Sequence, residues 1–281
     1  MMDLVYIVKN DERNDDLKYS LRSMARFYPD YKIWIVGYKP SWIQNVEYIP
    51  VKQTGSKWKN SIKNIEIACM CEDISDDFIL MNDDFFCIKP LFPIEVIANM
   101  TLGSLNSTVL KHNSHGSPWH RAFSQVRDLL KEMKIPEPYY DYEAHLPLQI
   151  NKQKFLEVIN LPEVQEFMKT PKVLHKRTLY KCYHKPQKVT SIPMDIKLKQ
   201  FVDDSNEKIK VCGWLSVYDK QVNDPRFSAL KRLLNVNFQK KCKYEIGFVE
   251  SDIEPIKDVD INGKPRIPKG TPYKRNNFIN Y

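Results

Sequence analysis

The chain has 281 residues, 42% hydrophobic and 28% charged, an ordinary globular composition that excludes a disordered polymer. No apolar run approaches the ~18 residues of a membrane helix, so no membrane insertion is expected. The first ten residues lack the basic-then-apolar order of a secretory leader, so six reduced cysteines in a cytoplasm are expected. Forty-three Lys and Arg against 35 Asp and Glu give a formal charge of +8, which favours a polyanion or a phosphate-bearing substrate as partner.

In chain order, Leu4 to Val8 is a short β-branched run that predicts a buried strand. Asn14 then predicts a helix cap, with Asp15 and Asp16 in the first turn where the helix dipole favours acids. Leu17, Leu21, Met24 and Tyr28 share one face of that helix, and Pro29 stops it. Ile33 to Val36 predicts a second strand, Val46 to Val51 a weaker third, and Phe78 to Met81 a fourth. Between the last two, Trp58, Ile62, Ile65 and Cys69 form one helical stripe. Such alternation predicts an α/β fold with a mostly parallel sheet flanked by helices.

Ligands of such sheets bind beyond the carboxyl ends of the strands. Asp11 and Arg13 follow the first strand, and Asn82-Asp83-Asp84 follows the fourth. By itself Asn82-Asp83-Asp84 is also a good turn sequence. Adjacent carboxylates near an apolar interior repel one another unless a cation joins them, and Mg²⁺ or Mn²⁺ takes oxygen ligands of this kind together with substrate phosphates. Eight glycines without GxGxxG or GxxxxGK[ST] exclude the glycine-loop phosphate cradles.

Several segments together form one pattern: Arg13, Leu17, Tyr19-Ser20-Leu21-Arg22-Ser23, Ile33-Trp34-Ile35-Val36, Asn60-Ser61 with Glu66, and Phe78 to Phe85. It resembles the Stealth-type sugar-phosphate transferases and related GT-A glycosyltransferases of bacteria and phages. Glu143-Ala144-His145-Leu146-Pro147 resembles their downstream histidine-proline segment. The resemblance implies a GT-A-like Rossmann-type fold, a nucleotide-sugar donor such as UDP-glucose, and Mn²⁺ or Mg²⁺ held where that family has its DxD motif. Either Asp83 with Asp84 or Asn82 with Asp84 faces the metal, and His145 is a candidate to complete its shell. Trp58 to Glu66 is one residue longer than the family's LPTFNSxAIE segment, which favours a simple glycosyltransferase over a phosphotransferase. Lys57, Lys63 and Asn64, with Asp11, Arg13, Asn82 and Asp83, are the candidate donor-binding residues.

On this reading residues 1–105 bind the donor, 106–200 form the acceptor half of the same domain, and 201–281 are a helical segment with a basic tail. Trp119 and His120 are candidates to stack on the acceptor, just before a helix whose apolar face is Phe123, Val126, Leu129, Leu130 and Met133. An inverting transferase needs a base for the acceptor hydroxyl, and Glu143, Asp141 and His145 are the candidates. Lys172 to Gln200 carries eight basic residues, among them Lys176, Arg177, Lys181, Lys185, Lys188 and Lys199, against the one acid Asp195. Residues 261–281 add five more with no acid. Two basic stretches with interleaved tyrosines favour a polyanionic acceptor such as nucleic acid. The resemblance to phage glycosyltransferases implies hydroxymethylated or glucosylated cytosine in phage DNA as that acceptor. The rival readings are transfer to a capsular or cell-wall polysaccharide, and a nucleic-acid-binding protein without activity.

Overall fold

A computed structural model describes residues 2–112, 116–186, 189–198, 205–217 and 228–249. His115, Lys188, Lys199 and the basic tail 261–281 lie outside the described residues. The elements run β1 (Asp3–Val8), α1 (Asp15–Phe27), β2 (Ile33–Gly37), β3 (Glu47–Pro50), α2 (Lys57–Met70), β4 (Asp77–Met81) and β5 (Phe85–Cys87). Then come α3 (Ile94–Ile97), β6 (Met100–Thr101), α4 (Leu105–His112), α5 (Pro118–Glu132), β7 (Leu148–Asn151), α6 (Lys152–Ile159), α7 (Pro162–Lys169) and α8 (Lys176–His184). The remainder is β8 (Thr190–Ser191), α9 (Ser205–Cys212), β9 (Trp214–Ser216) and α10 (Ser228–Phe238).

The central sheet has the order β3-β2-β1-β4-β7. Its first four strands are parallel, with Leu4 opposite Ile33 and Ile79. The edge strand β7 runs antiparallel, Phe78 opposite Ile150. The period-2 alternation of the strands explains the two cores. Val5, Trp34, Val36, Phe78 and Leu80 pack toward α2 and α5, through Ile62, Ile65, Phe123 and Val126. Leu4, Tyr6, Ile33, Ile35, Ile79 and Met81 pack on the opposite face with Leu17, Leu21 and Met24 of α1. Strands buried on both faces read as continuous apolar runs, which is why they were visible in the sequence. A third cluster joins Phe86 of β5 and Leu215 of β9 to Leu230 and Leu234 of α10.

After β1 the chain moves to β2 and β3 on one side, then crosses through α2 to β4 on the other side of β1. The carboxyl ends of β1 and β4 therefore flank the point where strand order reverses, the place where an open α/β sheet leaves a crevice.

Candidate active site

The two walls of this crevice are joined by one hydrogen bond. Asn14 caps α1, its Oδ1 accepting from the Leu17 amide at 3.1 Å. Its Nδ2 donates to Asp83 Oδ2 at 3.0 Å. Asn14 thus sets the start of α1 and the position of the acidic turn together. Asn82 to Phe85 is a turn, the Phe85 amide donating to the Asn82 carbonyl at 3.4 Å. The turn reading and the site reading of this segment are compatible, because the turn is what delivers the acids to the end of β4. Asp84 lies beneath, only 9% exposed, and Oδ2 accepts from Ser216 Oγ of β9 at 2.7 Å. Burial and the neighbouring Asp84 charge push the Asp83 carboxyl above its ordinary range, against the pull of Lys9 and Asn14.

This acid pair fits a hard divalent cation. The donors are carboxylate oxygens, each carboxylate has one described hydrogen bond through Oδ2, and their mutual repulsion is what a cation relieves. Among the described residues, no group of three or more His, Cys, Asp or Glu side chains could hold a metal. A cation at Asp83 and Asp84 would take further ligands from diphosphate oxygens and water.

His145 faces a different partner. Its Nδ1 lies 3.0 Å from Asp195 Oδ1, and its backbone φ is +53°, a conformation that costs a non-glycine residue energy and is held by its surroundings. Burial works to raise the Asp195 pKa, but His145, the Lys197 amide and Lys208 outweigh it and hold the carboxyl at about 2. An ionised Asp195 only accepts, so Nδ1 carries the proton and Nε2 is the nitrogen left to take one. Nε2 is thereby the nitrogen available to a metal or to a proton, the two roles expected of His145.

The other two candidate bases, Asp141 and Glu143, are both buried. Asp141 is 1% exposed; Oδ1 accepts from the Glu143 amide at 2.8 Å and Oδ2 from Thr108 Oγ1 at 2.9 Å. Burial raises its pKa to about 7. Glu143 is buried, its amide bond to Asp141 fixing the turn. Burial opposes its ionisation, but His175, Arg177 and Lys176 overcome that and keep the carboxylate charged. It neutralises cations beneath the site.

Of the other candidates, Lys57 opens α2 and Trp58 stacks on Trp119 at 5.4 Å, with Trp119 in turn 5.9 Å from His145. His120 follows in the first turn of α5, its Nδ1 2.6 Å from Ser117 Oγ. Asn64 is buried, its Nδ2 donating to the Val36 carbonyl at 3.3 Å beside Gly37. Asp11 Oδ1 accepts from the Arg13 and Asn14 amides and shapes the loop after β1. Arg13 is 72% exposed and paired with Asp15, and Lys63 is exposed on α2. Lys176 is half-buried at the start of α8. Arg177 and Lys181, expected on a basic surface, are each only 8% exposed. Arg177 donates to the Leu146 carbonyl and faces Glu143, Asp84, Asp141 and Asp195. Lys181 donates to Asn99 Oδ1 at 2.6 Å, toward the far end of the sheet, and exposed Lys185 ends α8 there.

Sequence reasoning missed Asp195, Ser216 and Asn14 as a partner of Asp83. Asp195 carried a signal, as the one acid in a run of cations. Ser216 carried none, because only the β5–β9 pairing, Phe85 opposite Ser216, brings it to Asp84.

No protein family matches the sequence, and comparison with curated proteins gives no match. Solved structures do match. The galactosyltransferase LgtC, in complex with donor and acceptor sugar analogs, is similar with a TM-score of 0.51 at 10% identity, over 89% of this chain and 98% of that one. The bifunctional glycosyltransferase WbbM matches with a TM-score of 0.46 at 13% identity, over 78% of this chain and 46% of that one. GlyE of Streptococcus pneumoniae TIGR4, also a glycosyltransferase, gives 0.34 at 12%, over 68% and 44%. The chain has the α/β fold of GT-A glycosyltransferases, a mostly parallel sheet flanked by helices. Among the described residues no helix is long and apolar enough to cross a membrane.

Proposed function

We propose that this chain is a glycosyltransferase that moves a sugar from a nucleotide-diphospho-sugar to an acceptor hydroxyl. The observation that carries the reading is the link between the Asp83–Asp84 pair and the His145–Asp195 pair on a GT-A fold: Ser216 binds Asp84 and pairs with Lys197, whose amide donates to Asp195. Asp83 and Asp84 would hold Mn²⁺ or Mg²⁺, which supplies positive charge to the departing diphosphate. Asn14 and Ser216 orient the two carboxylates. His145 takes the proton of the acceptor hydroxyl at Nε2, and Asp195 fixes the tautomer and stabilises the imidazolium that results. A base of this kind on the acceptor side belongs to displacement with inversion at the anomeric carbon. Trp58 and Trp119 bound the site on the acceptor side.

UDP-glucose is the donor we favour, on the resemblance of the sequence. Modified cytosine in DNA remains the favoured acceptor, supported by the charge of +8 and by Lys172 and Lys185, both exposed. Arg177 and Lys181 no longer contribute to that argument, since their charges point inward. The test is incubation of the protein with Mn²⁺, nucleotide sugars, and DNA containing cytosine, hydroxymethylcytosine or glucosylated hydroxymethylcytosine, read by nucleoside mass spectrometry. A hexose added to one modified base and abolished by EDTA is expected. Donor turnover with unmodified DNA in every case would discard the DNA acceptor and keep the transferase.

A further inference from the structure

His175 lies beneath the acceptor side and has no part in the transfer chemistry described above. Its carbonyl accepts from the Leu179 amide at 2.9 Å, so its place is fixed by the start of α8. The side chain is fully buried against two rings of α5, edge-on to Trp119 at 4.3 Å and 4.2 Å from Phe123. Nε2 lies 3.1 Å from the Trp119 carbonyl, which only accepts, so Nε2 carries the ring proton and donates it. Nδ1 is turned to Glu143 at 3.8 Å and makes no hydrogen bond among the described residues. Burial holds the ring neutral, its pKa at about 4 against the pull of Glu143. One imidazole therefore ties the first turn of α5 to the start of α8. It does so at Trp119, whose ring neighbours both Trp58 and His145.

We propose that His175 is a positioning residue: it fixes Trp119 in a platform with Trp58, on which the ring that carries the acceptor hydroxyl stacks next to His145. This deepens the transferase reading and rests on it for the identity of the acceptor. Trp58 comes from the first turn of α2 and Trp119 from the first turn of α5, and their rings stack at 5.4 Å with 26° between planes. Both are half-buried, so each ring keeps part of its surface open to a ligand. Offset-stacked and edge-to-face arrangements are the favoured ones for aromatic pairs, and Trp119 makes one of each, with Trp58 and with His175. A half-exposed tryptophan needs its backbone and its ring held if it is to meet a ligand without reordering. His175 holds both, and α8 holds His175. The contact offered is an aromatic face, which takes a base by stacking and a sugar by its apolar face.

Circular dichroism and steady-state kinetics test the two halves of the proposal. Two stacked indoles couple their transitions and give an exciton couplet, and Trp58→Phe, which leaves one indole of the pair, assigns it. His175→Phe keeps the ring and removes the donor, whereas His175→Gln keeps a donor and removes the ring. The couplet is expected to be lost in His175→Phe and retained in His175→Gln, with thermal melting to check that each variant is folded. His175→Leu is the second donor-free variant, used where His175→Phe does not fold. No couplet in wild type, or one unchanged in a folded donor-free variant, overturns the proposal. In transfer assays with Mn²⁺, the donor-free variant is expected to raise the KM for DNA containing hydroxymethylcytosine or its glucosylated form about 10-fold with little change in kcat, and His175→Gln to restore it. The DNA whose KM moves tells whether the stacked ring is the base or a sugar. A fall in kcat with the acceptor KM unchanged overturns the role in acceptor binding. Protein that turns over no nucleotide sugar, or transfers to neither DNA, refutes the reading of the substrate, and the couplet then decides the positioning by itself.

Discussion

His145 has one ring nitrogen held by Asp195 and sits on a backbone of positive φ, so its direction is fixed before any substrate arrives. Asp195→Asn removes the charge that fixes the tautomer while keeping the volume. The expected result is a fall in kcat of about 100-fold, within the usual range for general-base catalysis, with the KM for donor nearly unchanged. An equal loss in Asp195→Asn and His145→Ala, with none added in the double variant, would show the two acting as a unit. A change in KM alone would instead make the pair a binding element. Asp141 gives a stability test with a defined sign. Its folded-state pKa of about 7 lies above the ordinary carboxylate value, so folding favours the protonated form. Its contribution is full below about pH 4 and is lost as pH rises from there through about 7. Asp141→Asn should therefore lose less stability than wild type between pH 5 and 8 in urea denaturation. A steeper loss in the variant would contradict the burial of this acid.

At the scale of the elements, α1 and the turn after β4 depend on each other through Asn14. Asn14→Ala should destabilise the protein by about 1 kcal/mol from the lost cap alone. It should also weaken Mn²⁺ binding, because Asp83 loses its orienting bond; calorimetry measures both effects. Destabilisation without any effect on the metal would separate the cap from the site. The first half of the molecule was legible because its signals are local. Leu4 to Val8 and Ile33 to Val36 are runs buried on both faces, and Asn14-Asp15-Asp16 is a helix start written in adjacent residues. The acid pair was legible for the same reason, as a turn at a strand end. What failed was inference across distance. Leu148 to Asn151 becomes an edge strand only because β4 offers it a partner. Lys181 looks like surface in the sequence, yet α8 packs against the domain and turns its ammonium onto Asn99. Burial, which spacing does not encode, sets Asp141 and Glu143 apart from the more accessible His145.

At the scale of the whole molecule, the sheet's topology leaves a crevice at the carboxyl ends of β1 and β4, and the proposed transfer uses the acid pair at the end of β4 together with the His145–Asp195 pair. The arrangement requires that the acid pair govern departure of the nucleotide whichever acceptor is present, since donor and acceptor chemistry are held by different residues. The most direct measurement is release of nucleoside diphosphate from a panel of nucleotide sugars with Mn²⁺, comparing wild type with Asp83→Asn and Asp84→Asn. The account predicts release from at least one donor by wild type and its loss, by about 100-fold or more, in both variants that remain folded. Absence of release from every donor, or release undiminished when both carboxylates are replaced, would contradict it.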